Sequence, residues 1–212
     1  MEENLTLEQF TLGEWMTNCY YIGLKEEKRG WVFDAGFSPS PMIDFLKQEG
    51  ILVEKLIFTH AHLDHIAGAK DILSIYPEAE ILIHSDEMDF PVNPDLNLST
   101  MAGRMVIGPE PDRGVKDQDL IGDKNLSCRV IHTPGHSPGG SCFYFEESGF
   151  LIAGDTLFQG SVGRYDFPTS DGESLFKAIR EKLMILPDET IVYPGHGPST
   201  TIGAERKSNA YL

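Results

Sequence analysis

The sequence predicts an α/β protein, and three observations lead there. Short apolar runs of strand length alternate with stretches of helical periodicity. Several of the runs end in a Gly- or Pro-bearing turn that carries His or Asp. The 212 residues suffice for one domain with a substantial core. Hydrophobic residues make up 41%, the ordinary share for a globular chain, so composition points to neither a membrane protein nor a disordered one.

Residues 5–23 read as two strands, the second running through Asn18-Cys19-Tyr20-Tyr21-Ile22-Gly23. Lys25 to Gly30 is a charged hairpin turn. Trp31-Val32-Phe33 is a third strand, ending at Asp34-Ala35-Gly36. Ser40 is the expected N-cap of a helix, with Pro41 at the first helical position and Gly50 as its stop. Ile43, Phe45 and Leu46 give that helix one apolar face. Val53 to Phe58 is a buried strand, and a helix follows from Ile66 to about Tyr76, where Pro77 ends it. Ile81 to His84 is another short strand.

Between residues 85 and 118 the pattern dissolves, and four of the thirteen prolines fall here. The segment reads as a surface insertion with one helical turn around Ser99 to Val106; loops this long are often functional. Regular pattern returns at Leu126 to His132. Ser141 to Phe145 and Phe150 to Ala153 form a hairpin. Ser170 and Glu173 fit a capping box for a helix that buries Leu175, Phe176, Ile179 and Leu183. Thr190 to Tyr193 is the last clear strand. No repeat of 20–50 residues is present, so residues 1–212 are expected to form one domain.

The stretch Thr59-His60-Ala61-His62-Leu63-Asp64-His65 organises the chain. Extended backbone repeats every two residues, so His60 and His62 point to one side. Asp64 and His65 follow where the chain turns into a helix. Three of the seven histidines therefore fall within six residues. Three imidazoles and a carboxylate suit borderline divalent metals such as zinc or iron. The bland alternative is a polar strand-end loop that happens to be rich in histidine. The remaining strand ends supply partners: His136 in Thr133-Pro134-Gly135-His136, Asp155 in Gly154-Asp155-Thr156, and His196 in Pro194-Gly195-His196-Gly197. Five histidines and two aspartates are too many for one tetrahedral ion and suit two ions that share a carboxylate.

The net charge of −16 argues against nucleic acid or an anionic membrane as partner, because phosphate affinity rests on clustered Lys and Arg. A small anionic substrate is still compatible if bound metal dominates the site. Met1-Glu2-Glu3-Asn4 does not read as a secretory signal, and no apolar run approaches membrane-spanning length. Cys19, Cys128 and Cys142 are odd in number and widely spaced, so buried free thiols in a cytoplasmic protein are expected.

The text THAHLDHIAG (59–68), HTPGHSPGG (132–140), GDTLFQGSVGRYDFP (154–168) and YPGHGPSTTIGAERKSN (193–209) resembles the metallo-β-lactamase superfamily, and within it the short glyoxalase II-like hydrolases. The resemblance implies a four-layer αβ/βα sandwich with two mixed sheets and external helices. It implies a first metal on His60, His62 and His136, a second on Asp64, His65 and His196, and Asp155 as the bridge. Asp64 and His65 are then also the candidate catalytic pair. The implied cofactors are two divalent ions, zinc first, with iron or a zinc–iron pair as alternatives. The implied reaction is hydrolysis of a small-molecule thioester such as S-lactoylglutathione by a metal-bridging hydroxide. A homodimer is compatible with this reading.

Further roles follow the resemblance. Arg164 and Tyr165 are candidate substrate contacts, with an Arg164–Asp166 salt bridge as the alternative. Asp34 either hydrogen-bonds a ligand histidine or is a turn carboxylate. Thr156 is a candidate support for Asp155. His84 and His132 are set aside as ordinary histidines. Larger glyoxalase II enzymes have a C-terminal helical domain with basic contacts to glutathione, whereas this sequence ends at Leu212 with only Arg206 and Lys207 nearby. The resemblance therefore does not extend to glutathione recognition, and another thioester or a small ester is an alternative expectation for the substrate. The rival activities are a mononuclear iron persulfide dioxygenase using His60, His136 and Asp155, and a metal-holding module without chemistry. β-Lactam hydrolysis is not expected, because a secretion signal is lacking and the bridging position is Asp155.

Overall fold

A computed structural model describes residues 4–212. The chain divides into two compact units, one running to Gly114 and one from Val115 to Leu212. Each is built around a six-stranded mixed sheet with a few helices.

In the first unit β1 (Leu5–Leu12) and β2 (Thr17–Leu24) form an antiparallel hairpin. β2 also pairs antiparallel with β3 (Arg29–Phe33) and is buried along its whole length, as its near-continuous apolar run requires. Helix α1 (Ser40–Glu49) then crosses to β4 (Leu52–Ile57), which runs parallel to β3. Met42, Ile43 and Leu46 are its buried residues, so Phe45 flanks that face rather than forming it. Ser40 is not the cap: Pro39 holds that position without a side-chain bond, because Ser40 already lies in the first turn. Gly50 closes the helix as expected, at φ 65°, with the Ile51 amide bonding back to the Leu46 carbonyl.

After β4 come two short helices, α2 (Leu63–Ile66) and α3 (Ala69–Leu73), where the sequence suggested one. Gly68 marks the break. A Cβ there would meet the Gly36 carbonyl at 2.3 Å, and the Gly68 amide donates to Ala35. This close approach docks the histidine stretch on the end of β3 and excludes a continuous helix. β5 (Glu80–His84) pairs parallel with β4. Residues 85–112 hold a 3₁₀ turn at Ser85–Glu87 and a run of turns, in which the Ala102 amide bonds the Leu98 carbonyl as in one helical turn, without a longer helix over Ser99–Val106. They are not featureless: Phe90 and Leu98 are buried, and the Asn97 amide binds the Pro91 and Val106 carbonyls. β6 (Arg113–Val115) ends the first sheet's order.

The second sheet has the order β14-β13-β10-β9-β8-β7. Its strands are β7 (Leu120–Gly122), β8 (Ser127–His132), β9 (Ser141–Phe145), β10 (Phe150–Gly154), β13 (Ile191–Pro194) and β14 (Thr200–Thr201). β10 pairs antiparallel with β9 and parallel with β13, so Asp155 and His196 follow neighbouring parallel strand ends. A two-stranded hairpin, β11 (Leu157–Phe158) and β12 (Ser161–Val162), leaves from Asp155. Helix α4 (Gly172–Ala178) continues into a π-helical turn, Ile179–Leu183, and buries Leu175, Ile179 and Leu183 against Ile131, Cys142 and Leu151. Its cap is Asp171, which accepts from the Glu173 and Ser174 amides. The expected Ser170–Glu173 box does not form, because Ser170 instead donates to the His136 carbonyl. Helix α5 (Ile202–Ser208) closes the unit. Arg206 on it binds the Met184 and Leu186 carbonyls and pairs with Asp188, a structural role.

Among the described residues no helix is long and apolar enough to cross a membrane. All three cysteines are free and buried. Burial pushes each thiol up: Cys19 and Cys128 well above the usual thiol range, and Cys142 to about 11. A thiol titrating near 11 is about 0.1% thiolate at pH 8, and the thiolate is the reactive form. Ellman's reagent at pH 8 is therefore expected to label no cysteine in the native protein and three after unfolding. Rapid labelling of the native form would contradict the packing described.

Candidate metal centre

In the first unit His60, His62, Asp64 and His65 gather at the end of β4, all buried. The His60 ring centroid lies 4.6 Å from that of His62 and 4.1 Å from that of His65. His65 Nε2 is 3.6 Å from Asp64 Oδ2.

The cluster is oriented by Asp34. Its Oδ1 accepts from the Thr59 amide at 2.8 Å, and its Oδ2 accepts from the Thr59 hydroxyl at 2.8 Å. His65 Nδ1 lies 2.8 Å from the same Oδ2. A carboxylate only accepts, so His65 Nδ1 carries the proton and its lone pair is at Nε2. The Thr59 hydroxyl spends its proton on Asp34, so its oxygen accepts from His60 Nδ1, 3.1 Å away. His60 too then presents its lone pair at Nε2. Of the two expectations for Asp34, the contact with a histidine of the candidate set is the one the structure shows.

Three further supports lie far away in sequence and were not anticipated. The Thr17 hydroxyl donates to Asp64 Oδ2 at 2.9 Å. The fully buried Glu87 accepts from the Ala61 amide, between His60 and His62, at 2.7 Å. The Asn97 carbonyl accepts from the Leu63 amide at 2.9 Å.

The second unit gathers His136, Asp155 and His196. His136 Nε2 and His196 Nε2 are each 3.6 Å from Asp155 Oδ2. His136 Nδ1 donates to the Arg164 carbonyl at 2.7 Å, and a carbonyl cannot donate, so Nε2 again holds the lone pair. Gly163 makes this close return feasible: a Cβ there would come within 1.8 Å of the Asp155 carbonyl oxygen. Thr156 does not hold Asp155. Its hydroxyl bonds Thr133 at 2.8 Å, since both side chains are buried together under the turn.

The donor set fits a metal. A separation of 3.6 Å is too long for a hydrogen bond. Two ligands about 2.1 Å from one ion, at tetrahedral to trigonal angles, lie about 3.4–3.6 Å apart. Imidazole Nε2 atoms with Nδ1 held by a carboxylate, hydroxyl or carbonyl are the usual arrangement for histidine ligands. The histidines and aspartates are groups able to hold a divalent ion.

Arg164 and Tyr165 lie outside the donor set. The Arg164 guanidinium pairs with Asp166 and stands 4.3 Å from the Phe167 ring centroid. The hydrogen bond to Asp166 raises the Arg164 pKa and lowers that of Asp166. Tyr165 packs edge-on against Phe176. His132 Nε2 donates to the Pro138 carbonyl, a local turn bond. Asp34→Asn keeps a residue that tolerates left-handed backbone but replaces one acceptor oxygen with a donor. It is expected to weaken metal binding about 10–100-fold. Unchanged affinity in a chelator-competition titration would contradict the orienting role.

The profile of the metallo-beta-lactamase superfamily matches residues 12–196. Probable metallo-hydrolase YqgX of Bacillus subtilis is 32% identical over 206 residues, covering 95% of this chain and 94% of that one. Hydroxyacylglutathione hydrolase GloC of Haemophilus influenzae is 31% identical over 214 residues, covering 98% of each. Among solved structures, BLEG-1 B3 metallo-beta-lactamase is 33% identical with a TM-score of 0.93, covering 98% of this chain and 99% of that one. TTHA1623 in a di-iron-bound form is 33% identical with a TM-score of 0.85, covering 97% and 100%. With its two mixed sheets, its His and Asp groups able to hold metal and this match over most of its length, the chain belongs to the metallo-beta-lactamase superfamily.

Proposed function

We propose that the protein is a binuclear metal-dependent thioester hydrolase. In this reading His60, His62 and His136 hold one ion, Asp64, His65 and His196 hold the other, and Asp155 bridges them. The observation that carries the reading is the donor set itself. It comprises five imidazoles and two carboxylates, with 3.6 Å donor spacings and Nδ1 protons committed elsewhere on His60, His65 and His136. The likeness to GloC supports a thioester, and the di-iron-bound form of TTHA1623 supports a pair of ions, with iron as one identity for them.

Bound divalent ions would supply a water acidic enough to ionise near neutral pH and would polarise a carbonyl. The chain's own residues do the rest. Asp34 and Thr59 hold His60 and His65 in one tautomer, and the Arg164 carbonyl does so for His136. Asp64 is kept on its acceptor side by Thr17. A thiolate leaves without needing a proton, so no separate general acid is required. Arg164 and Tyr165 are the proposed substrate contacts. Arg164 is exposed, and exchanging a solvent-exposed Asp166 for an anionic substrate group costs little, because surface ion pairs contribute little.

The likeness to BLEG-1 favours a second reading, hydrolysis of a β-lactam ring with the same residues. A panel of acyl thioesters including S-lactoylglutathione, a chromogenic cephalosporin, and glutathione persulfide with an oxygen electrode separates the activities. Thioester turnover is expected, abolished in Asp155→Ala and His136→Ala, while Arg164→Ala mainly raises KM. Oxygen uptake on persulfide by protein holding one iron would contradict the hydrolase, and so would full activity in Asp155→Ala. Turnover of the cephalosporin alone would transfer the assignment to the second reading.

A further inference from the structure

One buried carboxylate in the second unit touches the supports of all three candidate ligands there. Glu205 on α5 is 2% exposed. Its Oε2 accepts from the Gly160 amide at 2.8 Å and from Asn209 Nδ2 at 2.8 Å. Its Oε1 accepts from the Thr200 hydroxyl at 2.6 Å. Asn209 Nδ2 also donates to the Ser161 carbonyl at 3.0 Å.

Gly160 and Ser161 lie at the tip of the β11–β12 hairpin. That hairpin leaves from Asp155 and returns through Gly163 to the Arg164 carbonyl, which fixes His136. Phe158 on β11 stands edge-on to the His196 ring, with centroids 6.4 Å apart. Thr200 begins β14, the strand after His196. The hairpin has only two residues per strand, too few ladder bonds to hold its own shape.

We propose that Glu205 is a positioning residue for the metal centre. By pinning the β11–β12 hairpin to α5 and β14, it sets the placement of His136, Asp155 and His196. The proposal rests on the reading of those three as metal ligands. The action is hydrogen-bond acceptance rather than charge. A hydroxyl can donate or accept. Glutamine can therefore keep an oxygen toward Gly160 and Asn209 and turn its amide toward the Thr200 oxygen, preserving all three contacts. Alanine removes the acceptor shared by the Gly160 amide, the Thr200 hydroxyl and Asn209 Nδ2, and leaves Asn209 Nδ2 only its bond to Ser161.

The test uses the full chain as Glu205→Ala and Glu205→Gln, with Asp155→Ala as reference. Zinc affinity is read by competition with a chromophoric chelator, ligand geometry by the visible bands of the cobalt(II) form, and folding by thermal unfolding of the same samples. Glu205→Ala is expected to weaken binding of an ion by about 10–100-fold and to shift the cobalt bands, while Glu205→Gln stays within about threefold of the unaltered protein. Unchanged metal binding in Asp155→Ala would overturn the ligand reading, and this proposal with it. Loss of metal in Asp155→Ala beside unchanged affinity and bands in folded Glu205→Ala would overturn the proposal alone, whatever the change in Tm. Equal losses in Glu205→Gln and Glu205→Ala would overturn the acceptor geometry. Should Glu205→Ala fail to fold, Asn209→Ala, which removes the side-chain bonds to Ser161 and Glu205 and the one Asn209 Oδ1 accepts from the Tyr211 amide, is expected to weaken binding about three- to tenfold, and no change in it would overturn the proposal.

Discussion

Asp34 gathers three donors at one buried carboxylate, and the histidine loop takes its shape from that contact. The residue sits in left-handed backbone, φ 58°, a conformation that aspartate tolerates better than most side chains. From there one oxygen orients His65 directly and His60 through the Thr59 hydroxyl. Backbone held in such a region persists only where surrounding structure enforces it. Here the enforcement is visible: the Asp34 amide bonds the Ile57 carbonyl, and Ala35 bonds the His65 carbonyl. The strand end and the first helical turn are therefore locked to each other before any ion is considered.

The second unit solves the same problem with backbone. His136 takes its orientation from a carbonyl on a returning hairpin, and that return depends on Gly163 lying against Asp155. The candidate ligands in both units stand on turns at strand ends, so the sheets would fix the loops that carry the proposed chemistry. The same layout explains why an acidic chain can serve an anionic substrate in the proposed reaction. Cationic character would come from the ions and from Arg164, not from the surface at large.

The part of the site that could be read from the sequence is the part encoded locally. His60 to His65 is a contiguous motif, and His136, Asp155 and His196 each follow a recognisable strand. Its supports could not be read in the same way. Thr17, Glu87 and Asn97 reach the loop through contacts set by tertiary packing, and nothing in their own neighbourhoods distinguishes them from ordinary polar residues. Glu205 looks like any acidic residue on an amphipathic helix until its burial is seen. The same limit applies to the fold. Strands with dense apolar runs were legible, whereas β6, β7 and the short β11–β12 pair were not, because two or three residues carry no usable period. Helix caps failed where a neighbour competed: Ser170 was drawn to the His136 carbonyl and Asp171 took the cap. The expected single helix after His65 was broken by the approach of Gly68 to Gly36, a constraint that periodicity does not encode.

The central claim is that seven side chains, from both halves of the chain, serve one pair of ions. Anomalous scattering from crystals of protein purified without added metal, collected on both sides of the zinc and iron edges, tests it most directly. The account predicts two peaks about 3.5 Å apart, one bonded to His60, His62 and His136, the other to Asp64, His65 and His196, with Asp155 reaching both. A single peak, or ions held by His60–His65 and by His136–His196 separately, would contradict it.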